Sequence, residues 1–541
     1  MPMKLRLLAL ALALSNAFFI PATASCADAD APKSDAPKPA AREPADPSGS
    51  RIGKDFGANF EKAAKPGEPT GAELAAQSTR LRSSLNLIWT LIAGFLVFFM
   101  QAGFALVETG FTRRKNAGHT MLMNLMVFCI GLIGYYVCGF ALMFGGLSAA
   151  SGPLSQYNGA NLLDGVVSFN GWNVLGSKGF FLSGVFDNQV MGLFLFQMVF
   201  MDTAATIPTG SMAERLKFNA FIWMSFFLAM FTYPVVGNWV WGGGWLSQLG
   251  DKWGWGHGAV DFSGSGVVHM VGGITALVGA WVLGPRIGKY DKNGNPRPLP
   301  GHNSPMAMLG TLILFFGWFG FNAGSASATE GIISICAVNT MIAGAVGGFT
   351  AMIYMMKFHI ARKPDSGICC NGMLAGLVAV TAPCAYISPI GAVVVGLVAG
   401  VLSTWAMGFV ERTLKIDDCV GAFAIHGVCG FWGVIALGLF ATGTYGAGLN
   451  HVQSVMVGGK QFTGGVLGLL PLGAPAGTPS GYTGQLMAQI FYAMVVFVFV
   501  FAVELAFFQF YHKTWGLRAS AEDELQGLDI PETGCPAYAE F

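Results

Sequence analysis

Long apolar runs dominate this chain from residue 85 onward, and they constrain its fold more than any other feature. About 20 apolar residues in a helix cross a bilayer core about 30 Å thick. Eleven runs of about this length are present, at 86–110, 119–146, 189–210, 217–241, 260–284, 304–325, 332–357, 367–387, 389–411, 419–443 and 484–511. We therefore predict an all-α membrane protein whose residues 85–512 form eleven transmembrane helices.

The composition fits this class and excludes several others. Hydrophobic residues make up 53% of the chain and charged residues 11%, whereas ordinary soluble domains contain about 25% charged residues. The net charge of +1 gives no indication of nucleic-acid binding. The ten cysteines lack the spacing of a zinc site, and the sequence contains no HExxH or GxSxG pattern. We therefore expect no metal, no cofactor and no enzymatic activity.

The first 84 residues have a different character. Residues 1–25 carry Lys4 and Arg6, then a short apolar stretch, then small residues, as in a secretory signal peptide. Residues 26–84 are rich in Ala, Pro, Lys and Asp, which predicts a disordered extracytoplasmic linker. The residues before Cys26 resemble a lipoprotein cleavage site without its usual aliphatic residue. Lipidation of Cys26 is therefore left open.

The distribution of positive charge gives the orientation. A signal peptide would leave the mature N-terminus outside, so that odd-numbered helices run inward. The segments that then face the cytoplasm hold sixteen Lys and Arg residues, and the outer loops hold three. Positive charge is concentrated in cytoplasmic loops, so we predict a cytoplasmic tail at 513–541. The sixteen residues on the cytoplasmic side are Arg113, Arg114, Lys115, Arg215, Lys217, Arg286, Lys289, Lys292, Arg297, Lys357, Arg362, Lys363, Arg412, Lys415, Lys513 and Arg518. The three in the outer loops are Lys178, Lys252 and Lys460.

Two histidines lie inside separate apolar runs. His269 and His426 each follow the start of their helix by about eight residues, and the two helices run in opposite directions. At about 1.5 Å per residue, both histidines fall near the membrane midplane. Helices 1–5 and 6–10 are therefore predicted to be inverted repeats, with helix 11 added. A single buried histidine can simply bond a neighbouring helix, but ionisable groups at this depth usually line a pathway.

Several motifs occur in a specific order along the helices. They are FQMVF at 196–200, YPVVGNWVWGGG ending at Gly244, DFSGSGVVHMVGG from Asp261, HNSPMAMLGTLILFFGWFGFNAGS from His302, AIHGVCG around His426 and GLD at 527–529. Together they resemble the ammonium transporter (Amt/Mep/Rh) family, and specifically its bacterial-type Amt members. The resemblance covers about 85–541 and implies a homotrimer of eleven-helix bundles in the bacterial inner membrane.

The resemblance also implies roles for individual residues. Trp241, Phe200 and Ser325 match the outer site that recruits ammonium, and Phe200 and Phe321 match the aromatic gate beneath it. His269 and His426 match the twin histidines that line the pore, and Asp261 matches an aspartate that supports the recruitment site from behind.

The chemistry of these residue types agrees with such roles, although each has a simpler alternative. An indole face attracts a cation and a serine hydroxyl can accept an N–H bond, but a tryptophan can also anchor a helix at the membrane interface. Phe200 and Phe321 can be ordinary packing residues. Asp261 can cap the start of helix 5, which is compatible with a supporting role.

Asp202, two residues after Phe200, is charged where many relatives carry a small neutral residue. It is interpreted as a buried carboxylate that bonds its neighbours, with a pore-side modifier of cation affinity as the alternative.

The predicted function is transmembrane ammonium transport, with methylammonium as an analogue. Ammonium would bind outside and lose its proton, and ammonia would pass the histidines while the proton crosses through the pair. Three alternatives remain: an ammonium sensor with little flux, an electroneutral ammonia channel, and an Rh-type channel, which Trp241 and Ser325 fit less well. The tail resembles the family's regulatory segment, at which a PII-type signalling protein is a possible partner beside the membrane lipid.

Overall fold

The computed structural model describes residues 69–151, 153–157, 161–328, 331–358 and 362–538. The predicted signal peptide at 1–25, Cys26 and most of the predicted linker lie outside these residues. Within the described part of the chain, ten helices are long and apolar enough to cross a membrane. An eleventh apolar helix, Ser366–Val380, is shorter, with 15 residues.

We number these helices along the chain. They are α1 Gly71–Phe111, α2 Arg114–Ala149, α3 Asn188–Met212, α4 Phe218–Val240, α5 Ser265–Leu283, α6 Ser304–Gly324, α7 Ile332–Phe358, α8 Ser366–Val380, α9 Pro389–Leu414, α10 Phe423–Phe440 and α11 Gly484–Thr514. Two hairpins interrupt the connections: β1 Val166–Phe169 pairs with β2 Trp172–Gly176, and β3 Val455–Val457 with β4 Lys460–Phe462.

The first helix starts earlier than the sequence analysis predicted. It begins at Gly71, not at residue 86, so that residues 71–84 of the predicted disordered linker are helical. A capping box fixes this start: the hydroxyl of Thr70 accepts from the N–H of Glu73 at 3.2 Å, and the Glu73 carboxylate accepts from the N–H of Thr70 at 2.7 Å. This reciprocal cap satisfies two backbone donors that a helix otherwise leaves unpaired.

The eighth helix ends earlier than predicted. A helix was expected over 367–387, whereas the regular helix stops at Val380. Pro383 follows closely, and a proline has no N–H to continue the hydrogen-bond ladder. The freed carbonyls of Thr381 and Ala382 instead accept from Ser263 and Phe262, just ahead of α5, at 3.1 and 3.2 Å. The interruption thus joins α8 to the segment that precedes α5.

The loops fall into two sets at opposite ends of the bundle. We call the end that carries both hairpins the hairpin end; there the side chain of Gln248 accepts from Asn173, and Ser388 donates to Leu472. We call the other the tail end, because there Lys217 donates its N–H to Leu517 in the tail.

The tail itself is docked on the bundle. It forms two short helices, Ala521–Gln526 and Asp529–Thr533. The Asp529 carboxylate accepts from the N–H of His119 at 2.8 Å, and the side chain of Asn116 accepts from the N–H of Leu528 at 2.9 Å. Helices this short are unstable alone, so their order depends on these contacts with the start of α2.

The exterior of the bundle is apolar, as a lipid-facing surface is. Phe95 and Phe98 on α1 are 56% and 46% exposed, and Leu312 on α6 is 58% exposed. The interior also holds buried polar side chains, among them Asn124, Asp202 and Glu504, and close glycine contacts. An apolar exterior and close approach of helix backbones are what a membrane helix bundle requires.

Candidate functional site

An open cleft at the hairpin end brings together the residues of the predicted recruitment site. It encloses about 640 Å³ of empty space, its mouth included, and its walls include Phe200, Trp241 and Ser325. Trp241 follows the last residue of α4, and Ser325 follows the last residue of α6. Both side chains are therefore presented by helix ends, whereas Phe200 comes from the middle of α3.

The polar hydrogens of two cleft side chains are already used within the protein. The indole Nε1 of Trp241 donates to the backbone carbonyl of Asp261 at 2.6 Å. The hydroxyl of Ser325 donates to the backbone carbonyl of Phe321 at 2.8 Å. Ser325 is thereby left with oxygen lone pairs, and Trp241 with a fixed ring. Both groups are suited to a ligand that carries positive charge and N–H donors.

Two phenylalanines close the bottom of this cleft. The rings of Phe200 and Phe321 stack with centroids 4.0 Å apart and an interplanar angle of 22°. The ring of Phe200 also meets the indole of Trp241 edge to face, at 6.2 Å. Both phenylalanines are buried, at 1% and 0% exposure. The structure thus brings the two predicted gate residues together as a stacked pair.

The two histidines meet directly beneath the aromatic layer. The ring of His269 stacks on Phe321 at 5.5 Å, and its Nδ1 lies 3.2 Å from the Nδ1 of His426. Both histidines are buried, at 0% and 4% exposure. At this distance one nitrogen carries the hydrogen and the other accepts it, so the pair shares a single hydrogen between the two facing atoms.

Asp261 caps the segment that presents His269. Its carboxylate accepts from the backbone N–H groups of Gly264, Ser265, Gly266 and Val267 at 2.8 to 3.0 Å. The hydroxyl of Tyr492 donates to the same carboxylate at 2.7 Å. With its oxygens occupied in this way, the Asp261 carboxylate acts as a cap, and the residue also lines the cleft. It reaches the recruitment residues through its backbone carbonyl, which holds Trp241.

A second aspartate repeats this cap at the tail end of the other histidine helix. Asp418 accepts from the N–H groups of Gly421, Ala422 and Phe423 at 2.8 to 3.1 Å. Asp418 precedes His426 by eight residues, as Asp261 precedes His269. In both helices the histidine lies in a six-residue π-helical turn, Ser265–Met270 and Phe423–Val428. The two segments are therefore built alike, and comparing their sequences around the histidines could have identified Asp418.

Trp318 is a further neighbour of the histidines that the sequence analysis did not single out. Its indole stacks on His269 with centroids 5.2 Å apart, and its Nε1 donates to the Thr381 hydroxyl at 2.9 Å. It lies on α6, almost one turn before Phe321. That spacing places both on one face of the helix, which is the signal that could have revealed it.

Asp202 lies on the side of α3 that faces away from the gate. Two residues turn a helix by about 200°, so Asp202 and Phe200 point in nearly opposite directions. Thr206, one turn after Asp202, donates to the side chain of Gln101 on α1 at 2.9 Å. Asp202 therefore points away from the aromatic gate. Asp202 is a buried carboxylate, as interpreted, but its Oδ1 bonds no group in the described part of the chain.

Comparison with known proteins shows the family. The family model described as Ammonium Transporter Family matches residues 88–538. The chain belongs to this family. It is 43% identical to ammonium transporter Amt2 of Archaeoglobus fulgidus, a match that covers 88% of this chain and 92% of that protein. It is 35% identical to ammonium transporter 1 member 3 of Solanum lycopersicum, over 84% of this chain and 93% of that protein.

Solved structures of family members share the fold. A protein described as Sensor Amt Protein superposes with a TM-score of 0.69 at 34% identity, over 84% of this chain and 99% of that one. Mep2 of Candida albicans superposes with a TM-score of 0.64 at 26% identity, over 81% of this chain and 87% of that one. This family member is thus a multi-pass membrane protein of the Amt/Mep fold.

Proposed function

We propose that this chain carries ammonium across the membrane, with the hairpin end outside and the tail end in the cytoplasm. The proposed bundle has eleven membrane helices, with α8 crossing despite its short regular part. Helices α1–α5 and α6–α10 form inverted repeats. The equal spacing of each aspartate and its histidine supports this symmetry, and the concentration of Lys and Arg at the tail end supports the orientation.

Ammonium first binds in the outer cleft. The indole face of Trp241 and the ring of Phe200 attract its charge, and the oxygen of Ser325 accepts one of its N–H bonds. Asp261 supports this site by holding the indole through its carbonyl. Potassium is of similar size but donates no hydrogen bonds, so the serine contributes selectivity that charge alone does not.

Ammonium then loses its proton at the gate of Phe200 and Phe321. The path beyond is lined by buried aromatic rings, and a bare cation there would lose its hydration without replacement. Ammonia is neutral and avoids this cost. It passes His269 and His426, while the proton crosses through the histidine pair and makes transport electrogenic. The observation that carries this proposal is the contact of the two buried Nδ1 atoms, 3.2 Å apart.

A sensor is the second candidate function, and one specific observation favours it. The protein described as Sensor Amt Protein shares the fold over 99% of its length at 34% identity. A sensor would keep the outer cleft and conduct little. An electroneutral ammonia channel, in which the proton returns outside, would use the same pore.

The assembly and partners are also part of the proposal. The family resemblance supports a homotrimer in the bacterial inner membrane and a PII-type signalling protein at the cytoplasmic face. The docked tail at that face supports such a partner, because its contacts with Asn116 and His119 connect it to the start of α2.

Uptake of labelled methylammonium into liposomes that contain the purified protein tests transport against sensing. We expect saturable uptake that ammonium inhibits competitively. The control is the same protein with Phe200 and Phe321 both replaced by tryptophan, which fills the gate. Saturable ligand binding without uptake above that of the control would replace the transporter by the sensor.

A further inference from the structure

One face of α1 follows the proposed pore from the histidines to the cytoplasmic end. Phe104, Glu108 and Phe111 are spaced at i, i+4 and i+7, which places them on one side of the helix. The ring of Phe104 packs on His426 with centroids 6.3 Å apart. Phe111 lines an open cavity of about 930 Å³ at the tail end. Glu108 therefore lies between the histidine pair and the inner cavity.

The surroundings of Glu108 confirm this position. A Cβ atom at Gly210 would lie 2.9 Å from the Glu108 Oε1 and 2.8 Å from a methyl group of Val420. The carboxyl group and Val420 thus pack against the same glycine, and Val420 lines the inner cavity. Glu108 is 2% exposed, and among the described residues no Lys or Arg forms an ion pair with it.

The hydrogen bonds around Glu108 suit both of its protonation states. The Asn124 amide donates to its Oε2 at 2.7 Å. The Thr209 hydroxyl lies 2.8 Å from Oε2 and 2.6 Å from the Thr206 carbonyl. This hydroxyl has one hydrogen, so it can donate either to an ionised carboxylate or to the Thr206 carbonyl. When the Thr209 hydroxyl donates to the Thr206 carbonyl, its oxygen can accept a hydrogen bond from a protonated Glu108. The change between the two states then requires only that this hydroxyl rotates.

We propose that Glu108 receives the proton that leaves the histidine pair and releases it into the inner cavity. An N–H bond of protonated His426 breaks as an O–H bond forms on the Glu108 carboxylate, directly or through one water molecule. The carboxyl group then ionises toward the cavity. This inference rests on the proposed electrogenic transport and adds its cytoplasmic exit step.

The other ionisable groups near Glu108 are few. Asp418, ahead of α10, lines the inner cavity together with Val420, and Asp202 lies on α3. On α2, the ring of His119 packs instead on Phe218 of α4, at 5.9 Å. The sequence of α6 over 304–324 contains no charged residue. Asp418 is occupied by its backbone donors, and Asp202 lies seven residues before Thr209 on α3, which is about 10 Å nearer the hairpin end. Glu108 is therefore the carboxyl group placed to exchange protons between the histidine pair and the inner cavity.

The variant Glu108→Gln tests this step, and the chain offers a matched control. Glu504 on α11 is also fully buried, and its Oε1 accepts from the Thr232 hydroxyl at 2.7 Å. The substitution Glu504→Gln therefore makes the same chemical change away from the pore. Wild type and both variants are placed in liposomes, and the current after an ammonium jump is recorded on a solid-supported membrane at several internal pH values.

We expect Glu108→Gln to lower the current about 100-fold or more, the lower end of the range for a lost proton-transfer group, and to remove its dependence on internal pH. Glu504→Gln should behave as wild type. Wild-type current and pH dependence in Glu108→Gln would overturn the inference. If Glu108→Gln fails to fold, Glu108→Asp replaces it, because aspartate keeps a carboxyl group. The current of Glu108→Asp must then retain its dependence on internal pH, and loss of that dependence would overturn the inference.

Failure of this inference is distinguishable from failure of the proposed function. If wild type carries no current, the electrogenic function itself is wrong. If wild type carries current that depends on His269 and His426 but not on Glu108, transport stands and only the exit step is wrong.

Discussion

At the scale of single residues, two side chains of the cleft at the hairpin end can accept positive charge or hydrogen bonds and have no polar hydrogen left to donate. Trp241 and Ser325 each use their one polar hydrogen on a backbone carbonyl of the protein. What remains toward the cleft is an aromatic face and an oxygen lone pair. A cation with N–H groups is therefore favoured over a neutral or anionic solute.

Replacement of Trp241 by leucine should weaken ammonium binding without unfolding the protein. A cation–π contact contributes about 0.5 to 2 kcal/mol, so we expect the KM for ammonium to rise by about 2- to 30-fold. Kinetics of labelled methylammonium uptake measure this change. Trp253→Leu is the control, because Trp253 is 50% exposed and lies outside the cleft. An unchanged KM in Trp241→Leu would show that this tryptophan only anchors its helix.

Sequence motifs indicated which residues to group into a site and missed what depends on the packing of helices. The structure brings together the residues that the sequence motifs singled out, which are Trp241, Ser325, Phe200, Phe321 and both histidines. The unbonded Oδ1 of Asp202 did not follow from sequence, because the partners of a buried side chain are set by its helix neighbours. Glu108 was missed for the same reason: only the contact of Phe104 with His426 shows which face of α1 adjoins the pore.

At the scale of elements, two capped π-helical turns place the histidines. Each turn follows a glycine with positive φ, Gly264 at 106° and Gly421 at 79°, a conformation that strains other residues. Each is held by an aspartate that accepts its first N–H groups. A π-helical turn widens the backbone and is often found at functional sites. Here it turns the two imidazoles toward each other across the axis between α5 and α10.

The close approach of these two helices gives an element-scale prediction. A Cβ atom at Gly273 would lie 2.2 Å from the backbone nitrogen of Gly427, so Gly273→Ala must push α5 and α10 apart. A displacement of about 1 Å is enough to reduce catalytic steps on the order of 100-fold, and we expect a comparable loss of ammonium-evoked current. Gly408→Ala on α9 is the control, since its Cβ atom would meet nothing within 4 Å. Equal currents from both variants would contradict this account.

Element boundaries were predicted less well than element identities. The start of α1 was placed too late because the hydropathy of residues 71–84 is low, although the capping box at Thr70 and Glu73 was visible in the sequence. The end of α8 was placed too late because an apolar run continues past Val380. Hydropathy measures how apolar a segment is, whereas the end of this helix is set by the missing N–H of Pro383.

At the scale of the whole molecule, buried ion pairs connect the loops of the tail end. Glu214 pairs with Arg113 and with Arg286, the latter at 2.9 Å, and Arg286 pairs with Asp417 at 2.8 Å. Burial alone would raise the pKa of Asp417, but the charges of Arg215 and Arg286 hold it well below its ordinary value. Asp417 adjoins Asp418, which caps the His426 segment. The ion-paired loops of the tail end are thus continuous with the cap that holds the His426 segment.

The proposed orientation can be tested with a natural cysteine. Cys535 is exposed in the tail, so in a chain with Cys26 replaced by serine, a membrane-impermeant maleimide should label it in inverted vesicles and not in right-side-out vesicles. The control is Cys535→Ser with Lys460→Cys in the exposed strand β4, which should give the opposite pattern. Labelling of Cys535 from the outside would reverse the assignment of both ends.

The most direct test of the account is the current that an ammonium jump evokes on a solid-supported membrane, for wild type and for the double variant His269→Ala/His426→Ala. We expect a saturable current in wild type and none in the variant, because the charge crosses through the histidine pair. The variant must remain folded, with the thermal unfolding profile of wild type. Proton transfer through the histidines would be contradicted if the double variant gave a current as large as that of wild type. It would equally be contradicted if folded wild type gave no current.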